Sequence, residues 1–499
     1  GGRRRCLAGV LAACLVCGAG TLESGIQIFA DAGPLRAYDW FGPSRLIPQA
    51  ITEFPAFSFL LGDLHAHLLA VPFTLLALAF GLQAARGGPS RRDVVPAGIA
   101  VGVLYAINSW SYPVAAGVVA LSTVVWVRGR PRAGAWRAAA LWSLGVLWVS
   151  VLAVLPFWLA FDAATGGIGL VEERRSFSQF VRDQSLFLGV LLWVLLAAFA
   201  HRLLGSRRPL RTAAWLAVAA IVAGSLLAPA DLAGPALVAG LVAVALRAAW
   251  GAPEAGERWG WLVIAAGLAC VLGPELVYVR DEFDGSELFR MNTVFKLGFQ
   301  AWILLAVMAA VVLALGRRWL PAGAWRLWAP VAVVGLALAA IYPVAGTYAR
   351  KAAFADGPRL GGLAWLERDA PGDVAAIAWL RDETAGDAVV LEAVGDDYSE
   401  FGHARISTFS GRATVLGWPG HELQWGHDPG SRRADVERIY RDPDPAAVRP
   451  LLERYGVDYV VAGPLERADY GDDGLAKFDR LGRRVLDREG TTVWRLNTT

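Results

Sequence analysis

Runs of about twenty apolar residues recur along this chain, and no other feature constrains its fold as much. In lipid a backbone must satisfy its hydrogen bonds within itself, so each such run is committed to a helix that crosses the bilayer. Eleven runs stand out, at 6–22, 64–84, 94–108, 112–127, 138–161, 185–201, 213–228, 234–248, 259–278, 295–315 and 327–346, the third, seventh and eighth being the shortest. Composition agrees: 56% of residues are hydrophobic and only 18% charged, against about 25% charged in soluble proteins. The expected fold class is a polytopic α-helical membrane protein, multi-pass in the plasma membrane, with a small C-terminal α/β domain.

Charge sets the orientation. With a cytoplasmic N-terminus, the connectors on that side hold nineteen arginines, from Arg3–Arg5 through Arg86, Arg128 and Arg207 to Arg326. The opposite loops, though longer, hold eight basic residues before the tail: Arg36, Arg45, Arg174, Arg175, Arg182, Arg280, Arg290 and Lys296. The positive-inside rule therefore puts loops 23–63, 162–184 and 279–294 outside. Eleven spans deliver the tail to that side too.

The membrane domain is expected over 1–349 and a linker over 350–372. From 373 to 499 charge returns to globular levels, and a small extracytoplasmic α/β domain is expected. Its signals are the helical VAAIAWLRDE, the strand-like AVVLEAV and VDYVVAG, and two strands around a Glu-Gly turn near the end. Its glycine-rich turns match no phosphate-cradling motif. A net charge of +3, without a basic stripe, excludes nucleic acid as a partner. The cysteines, Cys6, Cys14, Cys17 and Cys270, all lie in apolar runs, so neither a disulfide framework nor a thiolate zinc site follows.

Chemistry concentrates in the first outer loop, DAGPLRAYDWFGPSRLIPQAITEFPAFSFLLGDLHAHLLAVPF. Asp63 and His67 are four apart and share a helical face once the span has begun, with His65 turned away. A carboxylate and an imidazole there can act as acid and base, or hold a divalent ion such as magnesium or manganese. Asp63, following Gly62, also suits a helix cap. Asp39 and Glu53, with Arg45 between them, fit a general base beside an anion clamp, and equally an exposed ion pair. No HExxH occurs, which excludes protease-type zinc chemistry.

The loop before the tenth run, VRDEFDGSELFRMNTVFKLGFQAW, places Arg290, Asn292 and Lys296 at the membrane boundary, where charge-assisted bonds can hold a lipid phosphate. Headgroup snorkelling is the plainer account of Lys296. Asn108, in NSWSYP between two runs, is a further binding candidate. In the tail, GWPGHELQW around His421 is a compact aromatic and polar patch.

Three stretches, ITEFPAFSFLLGDLHAHLLAVPF, FRMNTVFKLGFQAW and RISTFSGRATVLGWPGHELQW, resemble the YYY-type membrane-protein family, domain of unknown function 2298. That family distantly resembles the C-type glycosyltransferases, polytopic enzymes that use lipid-phosphate-linked sugars at the outer membrane face. The family's acidic N-terminal part and tyrosine triplet have no counterpart here, so the chain reads as an N-terminally truncated fragment. Gly426 stands where relatives are expected to carry arginine.

The resemblance implies a glycosyltransferase-like enzyme with membrane lipids and a polyprenyl-phosphate sugar donor as partners. Asp39, Glu53 or Asp63 would deprotonate the acceptor, and His65 and His67 would orient the acid or, with Asp63, hold the metal. Arg45, Arg290 and Lys296 would meet the departing phosphate, with Asn108 and Asn292 beside the substrate. A transporter, or a non-catalytic protein of envelope assembly, stays open. Most charges cluster at outer ends instead of mid-span, which favours surface chemistry over transport.

Overall fold

The computed structural model describes residues 2–31, 33–62, 65–129, 133–161, 165–172, 174, 179, 186–187, 191, 226, 231–315, 322–351, 361–397 and 402–497. They form two compact units, one within 2–351 and the other from 361 onward.

Among the described residues of the first unit, seven helices are long and apolar enough to cross a membrane: Ala66–Gly87, Ser111–Gly129, Ala135–Ala160, Ala233–Gly251, Ala255–Glu275, Met291–Leu315 and Trp328–Lys351. Each overlaps one of the eleven expected runs. Two other runs are helical but shorter, Gly2–Cys17 and Val94–Ile107. The second of these has 14 residues, about 21 Å at the α-helical rise, against a hydrocarbon core of about 30 Å. Runs 185–201 and 213–228 fall almost wholly outside the described residues. The described residues therefore carry seven spans where eleven were expected.

Small residues let these helices approach closely, which is how helices associate where no hydrophobic drive separates lipid from protein. A Cβ on Gly102 would overlap the Ser150 carbonyl, and one on Gly267 would press on Leu305. Buried polar contacts fix the partners. Trp259 Nε1 donates to Ser122 Oγ at 3.1 Å, and Trp302 Nε1 to the Leu15 carbonyl at 3.2 Å. Ile168–Leu170 and Val277–Val279 pair as a two-stranded antiparallel ladder, which joins the loop expected at 162–184 to the junction of run 259–278 with the loop expected at 279–294.

The second unit is built on a five-stranded sheet in the order Ala413–Thr414, Val389–Leu391, Tyr459–Ala462, Thr491–Leu496, Gly482–Arg488. The first three strands are mutually parallel and the last two close an antiparallel hairpin. Helix Ala364–Asp369 precedes helix Pro371–Glu383 and buries Leu366, so the compact unit begins inside the stretch expected as linker. At the carboxyl ends of the parallel strands, buried Arg405 bonds Asp373 at 2.7 Å and Glu466 at 2.9 Å. Burial alone would raise the Glu466 carboxyl, but the Arg405 charge and donors from Arg405, Ala393 and Gly463 hold it below its usual range.

Candidate functional site

The first loop is built into the helical core. Phe54 and Phe57 are fully buried. Phe54 stacks on Trp302 with centroids 5.1 Å apart and meets Tyr342 edge-on at 4.8 Å, while Phe57 stacks on Trp40 at 5.6 Å. The Tyr342 hydroxyl donates to the Trp40 carbonyl at 2.9 Å. Pro55 starts the short helix Pro55–Leu61, which stops at Gly62 with φ +78°, a backbone that favours glycine. Glu53, next to the anchored Phe54, is thereby held at one end of this helix and His65 returns near it beyond the other.

Glu53 is 7% exposed and accepts from Arg45 Nη2 at 3.3 Å. Arg45 also donates to the Ser44 carbonyl and hydroxyl, and its guanidinium lies 4.4 Å from the Phe41 ring centroid. One ligand atom each of Glu53, His65 and His67 lies within 4.8 Å of the others. The two imidazoles are 4.1 Å apart, and His67 packs against Phe295 and Phe299 of the Met291–Leu315 helix. A cavity of about 30 Å³ runs between Glu53, Thr21, Phe295, Trp302 and Pro274, room for about one or two waters and far too small for a lipid chain.

The second loop meets this site through the same helix. Lys296 stands 6.0 Å from the Trp110 ring centroid, within electrostatic reach of Asp281, Glu282 and His67. Partial burial first, and then the Asp281 charge, hold the Glu282 carboxyl above its usual value, with Lys296 pulling the other way. Asn292 donates to Asp281 at 2.9 Å. Arg290 is matched by buried Glu275 at 3.6 Å.

Of the residues singled out from sequence, the fold thus brings together Glu53, Arg45, His65 and His67, with Lys296 in electrostatic reach. Asp63 lies outside the described residues. Asp39 is exposed, and its carboxylate accepts the backbone N–H groups of Phe41 (3.0 Å) and Gly42 (2.8 Å), shaping the turn. Asn108 caps Val94–Ile107 and donates its side-chain amide to Ser111. Sequence reasoning passed over Glu275, Ser111 and Gln300. The signal was a polar residue inside, or at the end of, an otherwise apolar run.

In the second unit, GWPGHELQW forms the short helix Pro419–Gln424, with His421 edge-on to Trp418 and Trp425 exposed. Beside it opens a polar cavity of about 840 Å³ lined by Arg412, Thr414, Glu422, His427, Asp428 and Arg432. Gly426 has φ +78°, which disfavours the arginine expected there.

A family model described as an uncharacterized membrane protein (DUF2298) matches residues 1–305, which include the first two of the three resembling stretches. No curated protein matches. Among solved structures, the archaeal oligosaccharyltransferase AglB from Archaeoglobus fulgidus, in complex with an inhibitory peptide and a dolichol-phosphate, is 14% identical with a TM-score of 0.36. The match covers 99% of this chain and 60% of that one. A likeness of that degree carries neither a fold assignment nor an activity.

Proposed function

We propose that this chain, which belongs to the DUF2298 family of uncharacterised membrane proteins, is a glycosyltransferase-like membrane enzyme that moves a sugar from a polyprenyl-phosphate donor to an acceptor at the outer face. The observation that carries the reading is the carboxylate of Glu53, buried beside Arg45 and two histidines where the Ala66–Gly87 span begins. A soluble-phase ion pair has no reason to be sequestered at a membrane boundary, whereas a general base does.

In this mechanism Glu53 takes the proton of the acceptor hydroxyl. The freed oxygen attacks the anomeric carbon, and the bond from that carbon to the phosphate oxygen breaks. The electron pair leaves with the polyprenyl phosphate, whose charge Lys296 meets from the head of its helix. Arg45 holds Glu53 in place, and Arg290, already matched by Glu275, positions the loop. Asp63 remains a second candidate acid.

The test is release of polyprenyl phosphate by the purified full chain from a panel of lipid-linked sugars supplied together with hydroxyl acceptors extracted from the cell envelope. Glu53→Gln should lower the rate by about 10²-fold or more, and Lys296→Met should lower it with normal membrane levels. No release across the panel by a folded protein, or an unimpaired Glu53→Gln variant, would overturn the proposal. A transporter draws on the buried Asn108–Ser111–Gln300 contact instead. It would show substrate counterflow in vesicles that survives Glu53→Gln.

A further inference from the structure

We infer that Glu53, His65 and His67 together bind one divalent transition-metal ion of the zinc class. The inference does not depend on the transfer reaction, since it rests on donor atoms and their surroundings.

The three side chains come from a stretch of fifteen residues folded back on itself. His65 is the residue that precedes the helical turn Ala66–Leu69, and His67 lies inside that turn. Gly62, with its left-handed backbone, ends the Pro55–Leu61 helix before the two histidines. A four-coordinate metal at bond lengths of about 2.0–2.1 Å needs neighbouring ligand atoms roughly 3.3 Å apart. The ligand atoms lie within 4.8 Å of one another, so small side-chain rotations close the set.

His67 supplies the independent observation. It is 2% exposed, and its Nε2 has no hydrogen-bond partner among the described residues. A buried ring nitrogen left that way costs about 1–3 kcal/mol, and a metal bond removes the cost. Phe295 and Phe299 close the ring in from the Met291–Leu315 helix, the dry wall that keeps water from competing for a metal. Arg45 bonds one oxygen of Glu53, the outer-sphere support that a ligating carboxylate ordinarily has.

The donor set fixes the class of ion. Magnesium takes near-octahedral oxygen coordination and holds its waters, which two imidazoles in an aromatic wall do not offer. Two imidazoles and one carboxylate suit zinc, and the arrangement leaves a fourth position for water or a ligand oxygen. Magnesium, expected from sequence alongside manganese, does not fit these residues. Asp63, expected as a ligand with His67, lies outside the described residues; among those, the group is Glu53, His65 and His67.

The experiment uses the full chain in detergent, without a polyhistidine tag, stripped with chelator and titrated with Zn²⁺, Co²⁺, Mn²⁺ and Mg²⁺. The expected result is one Zn²⁺ or Co²⁺ bound per chain, Co²⁺ giving the visible absorption of a low-coordinate site, and no displacement by millimolar Mg²⁺. His65→Ala, at a half-buried position, and Glu53→Gln should each weaken Zn²⁺ binding by more than about tenfold. His67→Ala risks the fold, so it is judged only beside these two. Absence of stoichiometric binding, displacement by Mg²⁺, or binding indifferent to both variants would overturn the inference. None of these readouts uses transferase activity, so either proposal can fail alone.

Discussion

Gln300 donates its side-chain amide to the Ser111 hydroxyl at 2.8 Å, across 189 residues of sequence. The same oxygen accepts from Asn108 at 3.0 Å, so one buried hydroxyl ties the Ser111–Gly129 helix to Met291–Leu315. Ser111→Ala should therefore destabilise the bundle by about 1–2 kcal/mol, because two buried amides lose their acceptor. Adding Gln300→Leu should recover part of that loss. Unfolding in mixed detergent would show it, and strictly additive losses would contradict a shared contact.

Lys477 gives a signed pH prediction. Its ammonium is buried, donating to the carbonyls of Tyr440 at 3.0 Å and Gly474 at 2.6 Å, and burial lowers its pKa to about 8. The unfolded chain keeps that proton to about 10.4. Between these values the unfolded state binds more protons, so stability rises with pH. Relative to Lys477→Met, the wild-type chain should gain thermal stability from pH 8 to 10 and show a flat difference below 7. A difference that falls over the upper range would refute the assignment.

The ladder between Ile168–Leu170 and Val277–Val279 cannot straddle a bilayer, so the two loops share a side and an even number of spans separates them. In a chain with its four cysteines replaced, Glu172→Cys and Ser286→Cys should both react with an impermeant maleimide added outside. Arg91→Cys should react only after permeabilisation. Both outer probes silent until permeabilisation would reverse the orientation.

Local signals carried much of the architecture. Among the described residues, nine apolar runs coincide with helices, seven of them of spanning length, because lipid leaves the backbone no alternative. In the second unit the Glu489-Gly490 turn joins two strands where its sequence marks one. Strand Ala413–Thr414 went unseen, since two residues carry no alternation. For the site, residue type pointed to Glu53, His65 and His67; helical spacing turned His65 away, yet its ring lies 4.1 Å from that of His67, while the expected pairing of Asp63 with His67 falls outside the described residues. The Pro55–Leu61 helix ends at Gly62 and the next helical turn begins only after the extended His65, so a single helical spacing does not hold from one side of Gly62 to the other. Asp39 shapes a turn, which sequence does not announce, because an exposed aspartate serving a turn looks there like one awaiting a proton.

Phe54 and Phe57 have a consequence for timing. Loops that gate a reaction are usually drawn from the least stable parts of a fold. This one is pinned by stacked rings to helices more than two hundred residues away in sequence. Its amides near Glu53 should exchange with solvent as slowly as those of the spans themselves. The carboxylate is then aligned when the protein folds, before any substrate arrives.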